Sequence, residues 1–457
     1  MTFTASTYQA AIFDFAANGK GNLIIGAVAG SGKTTTIVEL TKHLSGSVIF
    51  LAFNKSIATE LGSRGVPART FHSLCFSPVL KLTGQKAVVT DKLTRLARVA
   101  FDSRELALYG AGAQKLVGLA RNSLSTDWAE LAARHDIEAE DYVELYDCAG
   151  RLFRACEAAD SCDFDDLLYR AVTRNVGLPK YNWVLIDEAQ DTNAVQRALL
   201  KSLLTPLSRL IAVGDPAQAI YGFRGADAEA FGLIRSEFSC AELPLSVSYR
   251  CAQAVVKKAQ QYVSHILPHE SAPEGSVITD SPFAPRIGDL VVCRNTAPLI
   301  QAAYELIGSK VAVKVLGRDI GAGLVSLVNK LNAKGVDALL TKLDAWQERE
   351  QAKAKEEKKQ AIEDKAESLR TVIASLLETN RTVPAVIASI EALFNGDGPC
   401  VTLATIHKAK GLEADTVWWH RADLLPSKWA KQEWQLQQEM HLCYVAVTRA
   451  KKQLYIC

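Results

Sequence analysis

The sequence predicts an α/β protein with parallel sheets, organised as two units that each carry a mainly helical insert. Short apolar runs bounded by turn residues alternate with helical periodicity along most of the 457 residues. The alternation lapses twice, at about 80–149 and 318–396, where Ala- and Leu-rich helical periodicity takes over. One strand also runs straight into a glycine-rich turn, the junction that crossover connections of a parallel sheet provide.

Strand runs fall at 22–26, 47–52, 183–187, 209–214, 289–294, 311–316, 401–405, 416–419 and 453–457. The expected division is a first unit of 1–79 with 150–245 and an insert at 80–149. A second unit takes 246–317 with 397–457 and an insert at 318–396. The second insert contains a charged run from Glu348 to Lys365, with Glu350/Lys353 and Glu356/Lys359 at helical spacing; it reads as a solvated helix held partly by ion pairs.

Composition bounds the function class. Hydrophobic content of 48% and charged content of 22% are those of ordinary globular domains. No apolar run approaches the roughly 20 residues that span a bilayer, and no signal-peptide core opens the chain, so an intracellular protein without membrane attachment is expected. The ten cysteines form no C-x-x-C pair, which argues against zinc or iron–sulfur sites. A net charge of only +2 means that any nucleic-acid footprint is confined to one face.

The glycine-rich turn is Ala27-Val28-Ala29-Gly30-Ser31-Gly32-Lys33-Thr34. Its small residues let the backbone N–H groups of Ala29 to Thr35 turn inward around phosphates. Lys33 can neutralise the β- and γ-phosphates, the Thr34 hydroxyl can hold Mg²⁺, and the helix beginning near Thr35 adds its positive end. A second anchor, Val184 through Asp191, is an apolar strand ending in paired carboxylates. Asp187 can orient Mg²⁺ and Glu188 can polarise an attacking water. The carboxylates of Asp163, Asp165 and Asp166 read instead as a cap and first turn of a helix.

Three further segments narrow the class. The loop Gly214 to Gly225 collects Gln218, Tyr221, Phe223 and Arg224. Arg250 and Arg449 each follow a short apolar segment in the second unit, and a guanidinium fork matches phosphate oxygens.

Taken in order, Tyr8-Gln9, the phosphate loop, Phe53-Asn54-Lys55, Thr70-Phe71-His72-Ser73-Leu74, Asp187-Glu188-Ala189-Gln190-Asp191, Gly214-Asp215-Pro216-Ala217-Gln218 through Gly225, Tyr249-Arg250, His407 through Glu413 and Tyr444 through Ala450 resemble the superfamily 1 helicases of the UvrD/Rep/PcrA type. The resemblance covers nearly the whole chain and implies two RecA-like P-loop lobes. Ala27, where the general loop pattern has Gly, is a trait of that family. The short length and the Asp-Pro-Ala-Gln and Phe-Arg-Gly wording are similar to compact viral relatives and to the helicase part of F-box DNA helicases.

By resemblance, Gln9 reads adenine, Gln218 senses the γ-phosphate, Arg250 and Arg449 are arginine fingers, and Glu413 touches the nucleotide sugar. The same transfer assigns DNA contacts to Phe53, Asn54, Thr70, Phe71, His72, Tyr221, Phe223, Arg224, Thr405 and His407. Phe71 and Phe223 each have burial in a core as their alternative. Three departures stand out: Phe223 replaces a more frequent Trp, Ser248 replaces the Asn usual before Tyr249-Arg250, and Phe53 is displaced by one position. The expected activity is ATP- and Mg²⁺-dependent movement on single-stranded DNA, 3′→5′, with strand separation at duplex junctions, by a monomer working with partners in repair or replication. Nucleotide would lie in a cleft between the lobes. The alternatives are a translocase that strips proteins from DNA and a motor subunit of a nuclease complex.

Overall fold

The computed structural model describes residues 4–135, 137–220, 229–354, 356–376, 381–395 and 398–457. The chain forms two compact units, Met1–Val28 with Gly32–Ser246, and Ala29–Ser31 with Val247–Cys457.

The first unit is built on a six-stranded sheet of β1 (Leu23–Ala27), β2 (Val48–Ala52), β3 (Ala68–Thr70), β4 (Trp183–Ile186), β5 (Arg209–Gly214) and β6 (Ala241–Leu245), in the order β3-β2-β4-β5-β1-β6. Every pairing is parallel. Successive side chains of a strand face opposite ways, so the apolar run of β1 serves two cores. Leu23 and Ile25 pack with Ile12, Phe50, Leu185 and Val213, whereas Ile24 packs with Ile49, Ile186, Leu199 and Leu210 on the other face.

Helices at Lys92–Ala100, Ser103–Leu108, Gly110–Ser123, Trp128–Arg134 and Tyr142–Ala158 make up the strand-free segment of this unit. They enclose a core of their own around Leu116, Val117, Leu145 and Leu152. A buried ionic cluster joins them to the helix Phe164–Thr173. Lys92 Nζ donates to Asp166 Oδ2 at 2.6 Å, and Arg121 Nη1 donates to Asp163 Oδ1 at 2.7 Å. Asp163 and Asp166 also form a reciprocal capping box, so the capping role read from the sequence holds.

The second unit has β7 (Val247–Ser248) paired with β8 (Leu267–Pro268), and a parallel six-stranded sheet. That sheet comprises β9 (Ser276–Thr279), β10 (Leu290–Cys293), β11 (Val313–Val315), β12 (Val401–Thr405), β13 (Ala414–Trp419) and β14 (Ala450–Ile456), ordered β11-β12-β10-β13-β14-β9. Helices Arg318–Leu331, Val336–Lys353, Glu356–Ala374 and Val383–Phe394 fill its long excursion. Unlike the first helical segment, they share one core with their sheet: Leu339, Trp346, Leu369 and Phe394 pack together with Val291 and Leu403.

The charged run is not one helix: it breaks at Ala354, which is extended at φ −86° and ψ 140°. Its described side chains are exposed or half-buried, and the buried Ala366, Leu369 and Ile373 lie beyond its end at Lys365. The expected Glu350/Lys353 and Glu356/Lys359 pairs each involve a side chain outside the described set.

Strands β3, β6, β7, β8 and β9 were not expected. Each is a sheet edge, β3 has only three residues, and β6 carries Pro244, which an edge tolerates because it needs one row of N–H donors. All ten cysteines are free thiols. No helix among the described residues is long and apolar enough to cross a membrane.

Candidate active site

In the first unit, parallel strands direct the candidates to one sheet edge, because the loop after each strand emerges at its carboxyl end. β1 leads toward the phosphate loop, β2 to Phe53, β3 to His72, β4 to Asp187 and β5 to Gln218. Gly30 and Gly32 both lie in the left-handed region, at φ +71° and +76°, a backbone of the kind that anion-binding loops use. The helix itself begins at Lys33, two residues earlier than its expected start.

Lys33 Nζ lies 3.8 Å from Glu188 Oε1. Asp187 is buried and accepts the Glu188 N–H at Oδ1, and Glu188 sits at φ +49°. Gln190, only 1% exposed, donates to Glu188 Oε2 at 2.5 Å and accepts the Asp215 N–H at 3.0 Å. Asp215 Oδ2 accepts from Gln218 Nε2 at 2.7 Å. Burial pushes the Asp215 carboxyl above its usual range, outweighing the Lys33 charge and the Gln218 hydrogen bond. A continuous line of contacts thus runs from Lys33 through Glu188, Gln190 and Asp215 to Gln218.

The residues present suit a nucleotide with Mg²⁺. The loop is a cradle: a Cβ on Gly30 would lie 2.5 Å from the Arg250 Cβ, and Ser31 Oγ is buried with no hydrogen-bond partner. No group of three His, Cys, Asp or Glu side chains among the described residues could hold a metal by itself. Mg²⁺ takes one or two protein oxygens plus phosphate and water, which is what Thr34 and Asp187 offer.

Gln9 stands on the first helix, Thr7–Asn18. It is buried, its Oε1 accepts the Ser6 N–H within a capping box, and its Nε2 donates to Thr36 Oγ1 at 2.9 Å. In this structure its amide ties the first helix to the helix after the phosphate loop.

Among the nucleic-acid candidates of this unit, Phe53 is 43% exposed at the end of β2. Asn54 and Thr70 serve as helix caps, accepting from Ile57 N–H and Ser73 N–H. Phe71 is corrected: at 3% exposure it packs with Leu74, Leu167 and Ile186, so the ring belongs to the core. His72 is half-buried; burial lowers its pKa, and the Asp165 charge opposes that shift. Its ring meets Phe164 edge-on at 6.2 Å.

Phe164, 50% exposed beside His72, is a stacking candidate that the sequence did not single out. The available signal was a large ring at the first position of a capped helix, where no core contact is required. Tyr221, Phe223 and Arg224 lie outside the described residues.

The second unit divides its candidates between the two edges of its sheet. Thr405 ends β12 and His407 follows it, and Thr405 caps the helix Ile406–Ala409. Glu413 and Arg449 instead immediately precede β13 and β14, whose first residues, Ala414 and Ala450, are paired. Glu413 Oε2 lies 2.5 Å from Arg250 Nε, and its Oε1 lies 2.7 Å from Lys451 Nζ. Burial pushes the Glu413 carboxyl up, but the Lys451 hydrogen bond and the Arg250 charge prevail and hold it below the usual range.

Arg449 is 1% exposed. It donates from Nε to Val445 O, from Nη1 to Leu412 O and from Nη2 to Thr448 Oγ1. Arg250 is thus paired at a partly open position, whereas the Arg449 fork is turned into the unit. The tripeptide Ala29–Ser31 packs here: Ala29 N–H donates to Tyr444 Oη at 2.8 Å, and Gly30 O accepts the Tyr249 N–H at 2.8 Å.

Residues 9–239 match the family model described as the UvrD/REP helicase N-terminal domain, and residues 327–457 match the UvrD-like helicase C-terminal domain. A probable DNA helicase II homolog of Mycoplasma pneumoniae is 28% identical over 306 residues, covering 56% of this chain and 42% of that protein. The ATP-dependent DNA helicase PcrA of Staphylococcus epidermidis is 26% identical over 289 residues, covering 54% of this chain and 38% of its own length. The Staphylococcus aureus PcrA gives the same identity and coverage. The match therefore spans well under half the length of these relatives.

Proposed function

The chain belongs to the UvrD/REP helicase family, and from that premise we propose that it is an ATP-dependent DNA helicase moving 3′→5′ on single-stranded DNA. The observation that carries the reading is the line of contacts from Lys33 through Glu188 to Gln218, at the sheet edge where the phosphate loop emerges. Lys33 and the loop N–H groups hold the triphosphate. Thr34 and Asp187 would hold Mg²⁺, which would supply charge neutralisation on the phosphate oxygens. Glu188 orients and deprotonates the attacking water, and Gln218 reports the γ-phosphate.

Arg250 adds cationic charge to the transition state after exchanging Glu413 for phosphate, and Arg449 joins it on giving up its carbonyl bonds. Glu413, once released, is available to the nucleotide sugar, and Gln9 to adenine. Phe53, Phe164 and His72, with Thr405 and His407, contact DNA through stacking and backbone-directed hydrogen bonds. In this scheme 1–79 with 150–245 and 246–317 with 397–457 are the two RecA-like lobes, and 80–149 and 318–396 are their inserts.

The compact second insert, which shares its core with the sheet, favours a translocase that displaces bound proteins as the second reading. ATP hydrolysis with and without single-stranded DNA, followed by unwinding of 3′- and 5′-tailed duplexes, separates the two. DNA-stimulated hydrolysis with unwinding of 3′-tailed substrate supports the helicase; stimulated hydrolysis without unwinding supports the translocase. Lys33→Ala abolishes the stimulated hydrolysis, and near-normal turnover in that variant refutes the site.

A further inference from the structure

We infer that Gln190 is a positioning residue that joins Glu188 to the loop bearing Gln218, so that the aim of the water-activating carboxylate follows the state of the phosphate sensor. The inference rests on the proposed catalytic role of Glu188 and adds a residue to which that proposal gives no part.

The Gln190 amide can sit in only one orientation. Nε2 faces the Glu188 Oε2, an acceptor, and Oε1 faces the Asp215 N–H, a donor. A flipped amide would set oxygen against carboxylate and N–H against N–H. No other side chain of this size serves both neighbours: Glu would place a second carboxylate against Glu188, Met would leave the Asp215 N–H without this acceptor, and Asn is one methylene short.

The backbone beside it is fitted to the amide. A Cβ on Gly214 would stand 2.5 Å from Gln190 Oε1 and 3.1 Å from the Ala189 nitrogen, so a side chain at 214 would expel the bridge. Gln190 itself is 1% exposed, which keeps competing water away from both hydrogen bonds.

The consequence lies in what happens when nucleotide arrives. Lys33 now stands 3.8 Å from Glu188 Oε1, and phosphate draws that ammonium away. Gln190 retains its hold on the other oxygen, so Glu188 keeps its aim while losing a cationic neighbour. Asp215 sits between Gln190 and Gln218, accepting from the Gln218 amide through Oδ2. Movement of Gln218 toward or away from a γ-phosphate therefore displaces the backbone N–H that Gln190 grips.

Two substitutions test this, with steady-state kinetics from pH 6 to 9 and hydrogen exchange at the Asp215 amide. Gln190→Met lowers kcat at least tenfold across the range, leaves the KM for ATP within threefold, and speeds Asp215 exchange at least tenfold. Gln190→Glu sets a second carboxylate against Glu188 and lowers kcat at least tenfold with the KM for ATP within threefold, a split that a merely structural role would not produce. A kcat within twofold of wild type in either variant, or unchanged Asp215 exchange in Gln190→Met, overturns the inference. A wild-type protein that hydrolyses no ATP overturns the catalytic reading and with it the positioning role, while the exchange measurement still tests the bridge itself.

Discussion

Replacing Asp166 with Asn probes the ionic cluster that fastens the first helical segment to its sheet. The Asp166 carboxylate is fully buried and accepts from Lys92 Nζ at 2.6 Å, from the Asp163 N–H at 2.8 Å and from Arg121 Nη1 at 3.3 Å, with Arg170 Nε at 3.4 Å. Lys92, Arg121 and Arg170 are balanced by Asp163, Asp165 and Asp166, so Asn keeps the shape and leaves one buried cation in excess. Stranding one member of a buried ion pair costs about 3–5 kcal/mol. At about 2–4 °C per kcal/mol for a unit of this size, the melting transition falls by about 6–20 °C.

The pH dependence has a definite sign. Burial acts to raise the Asp166 pKa, but Lys92 and the hydrogen bonds prevail and hold it below the usual carboxylate range. A depressed folded-state pKa gives stability that is complete above the unfolded value and is lost as pH falls through the folded one. Asp166→Asn removes that acid-dependent limb. The assay is thermal and urea unfolding followed by the fluorescence of Trp128, which lies in this segment, with hydrogen exchange over 92–100 as the local readout. The double variant Lys92→Met/Asp166→Leu removes both charges and loses less than the two single losses added. An Asp166→Asn melting point within about 1 °C of wild type refutes the reasoning.

The aromatic candidates divide cleanly. Phe53→Ala and Phe164→Ala each remove an exposed ring and lower affinity for single-stranded DNA by about 1–3 kcal/mol, or roughly 5- to 150-fold, in fluorescence anisotropy. Wild-type affinity in either variant removes that ring from the DNA path. Phe71→Ala empties a core position and costs about 3–5 kcal/mol of stability, read as a lower denaturation midpoint. A Phe71→Ala protein of full stability with weakened DNA binding would return this ring to the surface.

How far the fold was legible depended on the position of each strand in its sheet. β1, β4, β5, β10 and β12 are flanked on both sides, so their residues are apolar on both faces and announce themselves as continuous runs. The edges β3, β6 and β9 are short, proline-bearing or half-exposed and carry no such signal, whereas the edge β11 was legible from its alternating Val311, Val313 and Val315. The helix Glu356–Ala374 concealed its buried face because Ala366, Leu369 and Ile373 follow directly on the charged run, and their burial depends on packing against Leu339 and Trp346. In the site, the fate of Phe71 turned on which side of the Thr70-capped helix meets Leu167 and Ile186, which the local string does not encode. The bridging part of Gln190 was hidden for a similar reason: its second partner, Asp215, is 25 residues further on.

Strand direction supplies the part of the site arrangement that a sequence can give without a structure. Residues that come after a parallel strand gather at one edge of the sheet, and residues that precede one gather at the other. Thr405 and His407 end or follow the run 401–405, whereas Glu413 and Arg449 stand before the runs that become β13 and β14. With six residues in β13, rising about 3.3 Å each, the two groups lie about 20 Å apart along the strands. The phosphate-directed and DNA-directed candidates of the second unit therefore occupy opposite edges, while those of the first unit share one. In the first unit, neighbouring loops can exchange contacts, as Gln190 does between Glu188 and Asp215. In the second, the two groups are joined both by the paired strands and by the connection 406–413 between β12 and β13.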